Sequence, residues 1–215
     1  YKRGTSVYLV DRVVPMLPEV LSNGICSLNA HEDRYAMTCM MEIDDSGTVV
    51  NYRIRPSIIH VGRRCSYKEV YKALEENIIP DDLQDFMPML RDLAEISKIL
   101  NRMRRRRGAL DFDFPEYKVL LDLDGTPLRI VKRDRTMAER LIEECMLIAN
   151  ETVATHLKNT HRTSVYRIHE SPSEEKLDLF QKVLNYLGQD LVLSANGVTP
   201  RDFQKILDEV KGQDI

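Results

Sequence analysis

The chain has no apolar run near the roughly 20 residues needed to cross a bilayer, and its opening Tyr1-Lys2-Arg3-Gly4 is not built as a signal peptide. Both absences predict a cytoplasmic protein with no membrane partner. Cysteine is scarce: Cys26, Cys39, Cys65 and Cys145 are scattered without a Cys-x-x-Cys pair, which excludes the usual zinc and dithiol patterns. Their small or apolar neighbours predict reduced thiols in the core. Positive charge is not in surplus. Against 34 Asp and Glu there are 31 Lys and Arg, a formal net charge of −3, which excludes a protein that coats nucleic acid through a broadly basic surface. Any contact with a polyanion has to be local. His31, His60, His156, His161 and His169 lack metal-ligand spacing. No internal repeat, low-complexity segment or linker interrupts the 215 residues, and 43% hydrophobic content suffices for the core of a single domain.

Turn and cap signals divide the chain. Arg34 to Ile43 alternates imperfectly, Asp44-Asp45-Ser46-Gly47 supplies turn chemistry, and Val49 to Ile59 is again extended, which predicts a hairpin. Ser66-Tyr67-Lys68-Glu69 has capping-box spacing and predicts a helix with Tyr67 in its first turn. Phe86, Met89, Leu90, Leu93, Ile96 and Leu100 recur at helical steps, predicting a helix over about Leu83 to Arg106 that Pro88 kinks or splits. Lys118 to Leu123 and Thr126 to Lys132 flank the turn Asp124-Gly125 of another hairpin. Thr136-Met137-Ala138-Glu139 opens a helix whose Leu141, Met146, Ile148, Ala149 and Val153 form a wide buried face. Ser171-Pro172-Ser173-Glu174 and Thr199-Pro200-Arg201-Asp202 each read as a cap followed by proline at the first helical position, and Ser194 to Thr199 as a loop. The fold class is α+β, a mixed, mainly antiparallel sheet packed with helices.

Charge concentrates at Arg102 and Arg104-Arg105-Arg106-Arg107, ahead of Gly108. Cations in the last turn of a helix complement its dipole and glycine suits the position beyond it; contact with phosphate is a second, compatible role. Arg63 and Arg64 precede the Ser66 helix, where free N–H groups and the dipole favour an anion. Glu143 and Asn150 share a helix face read as otherwise largely apolar, so each needs a polar partner.

Two blocks carry a resemblance. Gly4-Thr5-Ser6-Val7-Tyr8-Leu9 with Pro15-Met16-Leu17-Pro18-Glu19-Val20-Leu21-Ser22-Asn23-Gly24-Ile25-Cys26-Ser27-Leu28-Asn29 is the first, and Arg140-Leu141-Ile142-Glu143-Glu144-Cys145-Met146-Leu147-Ile148-Ala149-Asn150 the second. In this order and at this distance they closely resemble the catalytic RNB domain of the ribonuclease R and ribonuclease II family, which degrades RNA from its 3′ end. The resemblance covers nearly all of the chain, whereas the family's domain extends further at both ends. It implies that residues 1–215 are a partial RNB catalytic domain. The parent protein would be a processive 3′→5′ exoribonuclease that hydrolyses single-stranded RNA to nucleoside 5′-monophosphates. Thr5-Ser6-Val7-Tyr8 and Leu141-Ile142-Glu143-Glu144-Cys145-Met146 lean toward ribonuclease R.

The resemblance also implies roles for residues. Tyr8 falls where the family clamps a base near the scissile end, and Phe112, in Gly108-Ala109-Leu110-Asp111-Phe112, where it places the other clamping ring. Tyr67 falls where the last nucleotide is held and Glu143 where an acid contacts the terminal ribose; Arg64 matches the pattern better than Arg63 and would take a backbone phosphate. Asn150 is carried as the polar companion of Glu143. Aromatic faces hold unstacked bases at about 1–3 kcal/mol each, and polar groups read ribose hydroxyls. Without the resemblance, Tyr8 and Phe112 read as strand aromatics, Tyr67 as an amphipathic-helix residue, and the partners of Glu143 as protein groups.

Hydrolysis of this kind generally needs carboxylates that hold Mg²⁺. The family supplies them from an aspartate cluster upstream of the Tyr8 block, and binds the scissile phosphate with an arginine-rich segment downstream. Asp44-Asp45, Asp81-Asp82, Asp111-x-Asp113 and Asp122-x-Asp124 read instead as turn, loop or cap residues. The chain by itself is therefore expected to bind no metal and to hydrolyse no RNA, with Mg²⁺ serving the full-length enzyme. Unpaired sheet edges predict self-association. The competing readings are a noncatalytic RNA-binding or scaffold protein that keeps the fold, and a general α+β domain with no RNA role.

Overall fold

In the computed structural model, which describes residues 4–111, 116–133, 135–168, 170–189 and 198–210, turn chemistry decides the strands. A short ribbon of β1 (Val7–Tyr8) and β2 (Val13–Val14) comes first. Asp44 Oδ1 then accepts from the backbone N–H groups of Ser46 and Thr48, both at 2.9 Å, and folds β3 (Asp33–Ile43) antiparallel onto β4 (Val49–His60). Ser66 caps α1 (Tyr67–Glu75), with the Glu69 carboxylate accepting from the Ser66 N–H at 2.9 Å, as a capping box requires. A 3₁₀ turn, Asp81–Phe86, leads into α2 (Met87–Arg107). Pro88 neither kinks nor splits that helix: it stands in the first turn, where a missing N–H leaves nothing unsatisfied.

Asp122 repeats the Asp44 turn by accepting from Asp124 and Thr126 at 3.0 and 2.8 Å, between β5 (Glu116–Leu121) and β6 (Pro127–Arg133). Thr136 and Glu139 form a second capping box and start α3 (Met137–Asn159). Ser173, not Ser171, caps α4 (Glu174–Tyr186), which leaves Pro172 ahead of the cap rather than at the first helical position. Pro200 does open α5 (Pro200–Val210), where Thr199 donates through its N–H to Asp202 at 2.8 Å. Both long hairpins lie where the sequence puts them, and the sheet is antiparallel, in three two-stranded ribbons among the described residues.

Val70 and Ala73 of α1, Leu83 of the 3₁₀ turn, Met87 and Leu90 of α2 and Ala138 of α3 form one buried cluster. Farther along, α2 and α3 form a seam. The buried stripe of α3 is Ala138, Leu141, Glu144, Ile148 and Thr152, at the three- and four-residue steps of one helix face. Leu141 and Ile148 were expected there, whereas Met146 is 57% exposed: it lies about two residue steps round the helix from Glu144, off the α2 side. The cysteine expectation is corrected too. All four thiols are free, but Cys26 and Cys65 are exposed and Cys39 and Cys145 half-buried, because Cys26 ends an irregular helical turn and Cys65 precedes a cap, both outside the core.

The tip of the β3–β4 hairpin is clipped to the helices. Gly47 turns at φ +88°, and a Cβ there would lie 2.8 Å from Met103 Cβ; Arg106 donates to the Ser46 carbonyl at 2.6 Å. On α3, Thr152 donates to the Met41 sulfur at 3.3 Å, and the Tyr52 hydroxyl lies 3.3 Å from His156 Nδ1. The other end of the hairpin runs past the helices, leaving Tyr35, Met37 and Ile58 on one exposed face. Total accessible surface is 17236 Å², against about 10,000 Å² for a compact monomer of this mass. Among the described residues no helix is long and apolar enough to cross a membrane.

Candidate nucleic-acid interface

The two arginines before α1 have different fates. Arg63 donates through Nε to Asp82 at 2.8 Å and through Nη2 to Glu69 at 3.1 Å, so it binds the entrance of α1 to the 3₁₀ turn. Its hydrogen bond to Asp82, with help from Cys65 and Glu69, raises its pKa far above the ordinary value. Arg64 is exposed and has no partner among the described residues. Tyr67 stands in the first turn of α1, 45% exposed. The capped helix start thus presents one occupied and one open guanidinium beside an open aromatic ring.

The Glu69 carboxyl is depressed from its ordinary 4.5 to about 2, by hydrogen bonds from the Ser66 side chain and backbone and then from Arg63. A folded-state pKa below the unfolded one gives stability that is complete above about pH 5 and lost as the pH falls toward 2. Unfolding stability of Glu69→Gln should therefore be flatter than wild type over that window. Parallel acid titrations of the two proteins would refute it.

Glu143 sits on α3 at the end of a charged chain. Arg135 donates through Nη1 to Asp111 at 3.0 Å and through Nη2 to Glu143. Partial burial works against the Arg135 charge, and the hydrogen bonds to Glu143 and Asp111 outweigh it, so its pKa rises. From the other side Arg104 approaches Glu143 at 3.9 Å and Glu144 at 3.5 Å. Glu144 is 3% exposed and accepts from Asn101 at 2.9 Å. Glu144 Oε2 and Arg104 Nε face each other but make no hydrogen bond, so that contact is Coulombic. The Glu143 side chain stays 37% exposed, and its carboxylate, which only accepts, can take a donor from outside.

The remaining predicted residues are dispersed. Asn150 is exposed and joins none of the Glu143 contacts; the apolar face they were expected to share lies one position round, at Glu144. Tyr8 is 78% exposed on β1, and the residues just after it, Val10 and Asp11, line a shallow depression with Val119, Leu121, Pro127 and Ile130 of the β5–β6 hairpin. Phe112 lies outside the described residues, directly after Asp111 in the chain. Arg64 precedes the cap of α1, Tyr67 stands in its first turn and Glu143 lies on α3, and the buried cluster joins those two helices through Val70, Ala73 and Ala138. An open cavity of about 470 Å³ between the hairpin tip and the two long helices, lined by Tyr52, Met103, Arg107 and Thr152 among others, includes none of these residues.

The arginine run is engaged within the protein. Arg105 pairs with Asp208 at 3.6 Å and Arg107 clamps Glu151 with two hydrogen bonds at 2.7 and 2.9 Å. Gly108 ends α2 at φ +93°, the left-handed position expected of it. Sequence reasoning missed Arg135, Asp111 and Arg104 as supports of Glu143, since no helical or strand period relates the first two to it. Among the described residues no three His, Cys, Asp or Glu side chains group to hold a metal. Asp44 and Asp122 serve turns, and Asp82 and Asp111 serve arginines, so these carboxylates do not fit a Mg²⁺ site.

A match to the RNB domain covers residues 1–215. Over 214 residues the chain is 42% identical to ribonuclease R 1 of Lactococcus lactis, covering 99% of this chain and 26% of the relative. Ribonuclease R of Escherichia coli is 36% identical over 97% of this chain and 26% of its own length. The chain therefore spans about a quarter of these curated relatives. Mycoplasma genitalium RNase R, solved in complex with ribose methylated single-stranded RNA, superposes with a TM-score of 0.92 at 31% identity, over 98% of this chain and 33% of that one. Yeast Ssd1, described as a pseudonuclease, shares the fold at a TM-score of 0.69 and 19% identity, over 98% of this chain and 25% of its own.

Proposed function

This chain belongs to the RNB domain family, and from that premise we propose that the protein carrying it is a 3′→5′ exoribonuclease for which residues 1–215 supply part of the grip on the 3′ end of single-stranded RNA. The observation that carries the reading is Glu143: a carboxylate held by Arg135 with over a third of its surface open, on the helix to which the buried cluster joins α1, whose start carries Tyr67 just after Arg64. Tyr67 stacks on the last base, Glu143 accepts from the terminal ribose, and Arg64 meets a backbone phosphate, each contact using chemistry that single-stranded RNA offers. Tyr8 and Phe112 are proposed to clamp a base farther in. Hydrolysis, release of nucleoside 5′-monophosphates and a Mg²⁺ requirement belong to the intact protein in this reading. The large accessible surface and the exposed Tyr35–Met37–Ile58 face favour residues 1–215 working inside a larger body. By itself the chain should self-associate at high concentration, and a monomer by light scattering would count against that.

The test uses the intact protein with 5′-labelled single-stranded RNA and Mg²⁺. Stepwise shortening from the 3′ end to mononucleotides, slowed by Tyr67→Ala and by Glu143→Ala, is the expected result. RNA binding without shortening would replace this reading with a noncatalytic RNA-binding protein, and indifference to RNA would remove both.

A further inference from the structure

A glutamate on a helix surface has several side-chain rotamers of similar energy, so recognition of one hydroxyl needs something to choose among them. Of the two guanidinium groups at Glu143, Arg104 stands 3.9 Å away and contributes charge, while Arg135 makes the hydrogen bond. Arg135 immediately precedes Thr136, whose capping box fixes the backbone from which the arginine reaches. Its other prong holds Asp111, the residue before Phe112 in the chain. One planar fork therefore ties α3 to the segment that leads toward Phe112, and guanidinium–carboxylate geometry is directional enough to orient what it holds.

We propose that Arg135 is a positioning residue for RNA selectivity, bridging Asp111 and Glu143 so that the Glu143 carboxylate meets the 2′-hydroxyl of the 3′-terminal ribose. This rests on the reading that Glu143 contacts that ribose. A carboxylate only accepts, and a terminal deoxyribose offers no donor at that position. Loss of Arg135 therefore lowers discrimination between the two sugars more than it lowers binding as such.

The experiment measures binding of the intact protein, with Mg²⁺ chelated so that nothing is hydrolysed, to two single-stranded RNA oligonucleotides that differ only in a ribose or a 2′-deoxyribose at the 3′ end. Glu143→Ala should abolish the preference for ribose, and Arg135→Ala should lower the affinity ratio roughly tenfold. Combined with Glu143→Ala, it should add nothing further, because residues acting through one contact are not additive. Arg135→Lys, which keeps a cation but not the fork, should lower the ratio with an unchanged melting temperature, and it carries the test if Arg135→Ala does not fold. If Glu143→Ala loses the preference while both Arg135 variants keep it, or if the Arg135 variants weaken both oligonucleotides equally, this inference is overturned and the ribose reading stands. If Glu143→Ala keeps the wild-type preference, the ribose reading fails and this inference falls with it.

Discussion

Glu144→Ala is expected to lower unfolding stability by about 3–5 kcal/mol, because it leaves the Arg104 guanidinium in the α2–α3 seam with its buried partner gone. Glu144 is 3% exposed and the Arg104 side chain 16%, so water can repay little of what the pair loses. Asn101 also loses the acceptor it reaches at 2.9 Å. Glu144→Gln keeps that acceptor and gives up only the charge, so its loss should be clearly smaller. The double replacement Glu144→Leu with Arg104→Met removes both charges from the seam and should cost much less than the two single losses added, since a buried ion pair is often no better than apolar side chains of similar volume. Chemical denaturation of wild type, Glu144→Ala, Glu144→Gln, Glu144→Leu, Arg104→Met and the double variant checks this, and a loss below about 1 kcal/mol for Glu144→Ala would mean that the seam is wetter than its burial implies. There is a functional consequence. Successive helix residues point about 100° apart, so fixing Glu144 in the seam fixes Glu143 at its rim, where its carboxylate is open.

Leu83→Ala should cost about 2–5 kcal/mol, the range for emptying a leucine site that cannot collapse. Leu83 is fully buried, at the point where α1, α2 and the first turn of α3 share one cluster. Its neighbour Asp82 holds Arg63, which holds Glu69 of the α1 capping box. A cavity there loosens the attachment of α1, and Tyr67 and Arg64 move with that helix. Both the denaturation midpoint and the affinity for single-stranded RNA should fall together, whereas Leu83→Met, which nearly conserves volume, should cost less than about 1.5 kcal/mol. Full stability in Leu83→Ala would show that the cluster repacks around the gap.

The local structure was largely legible because its signals are short-range. Asp44 and Asp122 bond to backbone groups two and four residues on, and Ser66 and Thr136 bond within the first turn of their own helices, so spacing alone announces both hairpins and both caps. Misreadings arose where two local signals compete. At Pro88 a helical period ran through the 3₁₀ turn and hid the true start of α2; at Ser171 a serine-proline cap signal overlapped the Ser173-Glu174 cap, and the second serine won. The thiols were misplaced because small apolar neighbours in sequence say nothing of what lies above them in space.

By itself the sequence determined the family, the order of the two long hairpins and the five α-helices, the capped start of α1 with Arg64 and Tyr67 beside it, and the candidacy of Glu143, since each is written in short local runs of residues. Only the tertiary structure decided which arginines are engaged and which is open. Arg63 and Arg64 are adjacent in sequence, yet Asp82 claims the first and no described residue the second. It likewise put Glu144 rather than Glu143 in the seam and joined Asp111, Arg135 and Glu143 into one chain of charge. The physical reason is that an ion pair depends on distance through space, and no period along the sequence encodes contacts between segments brought together by a core.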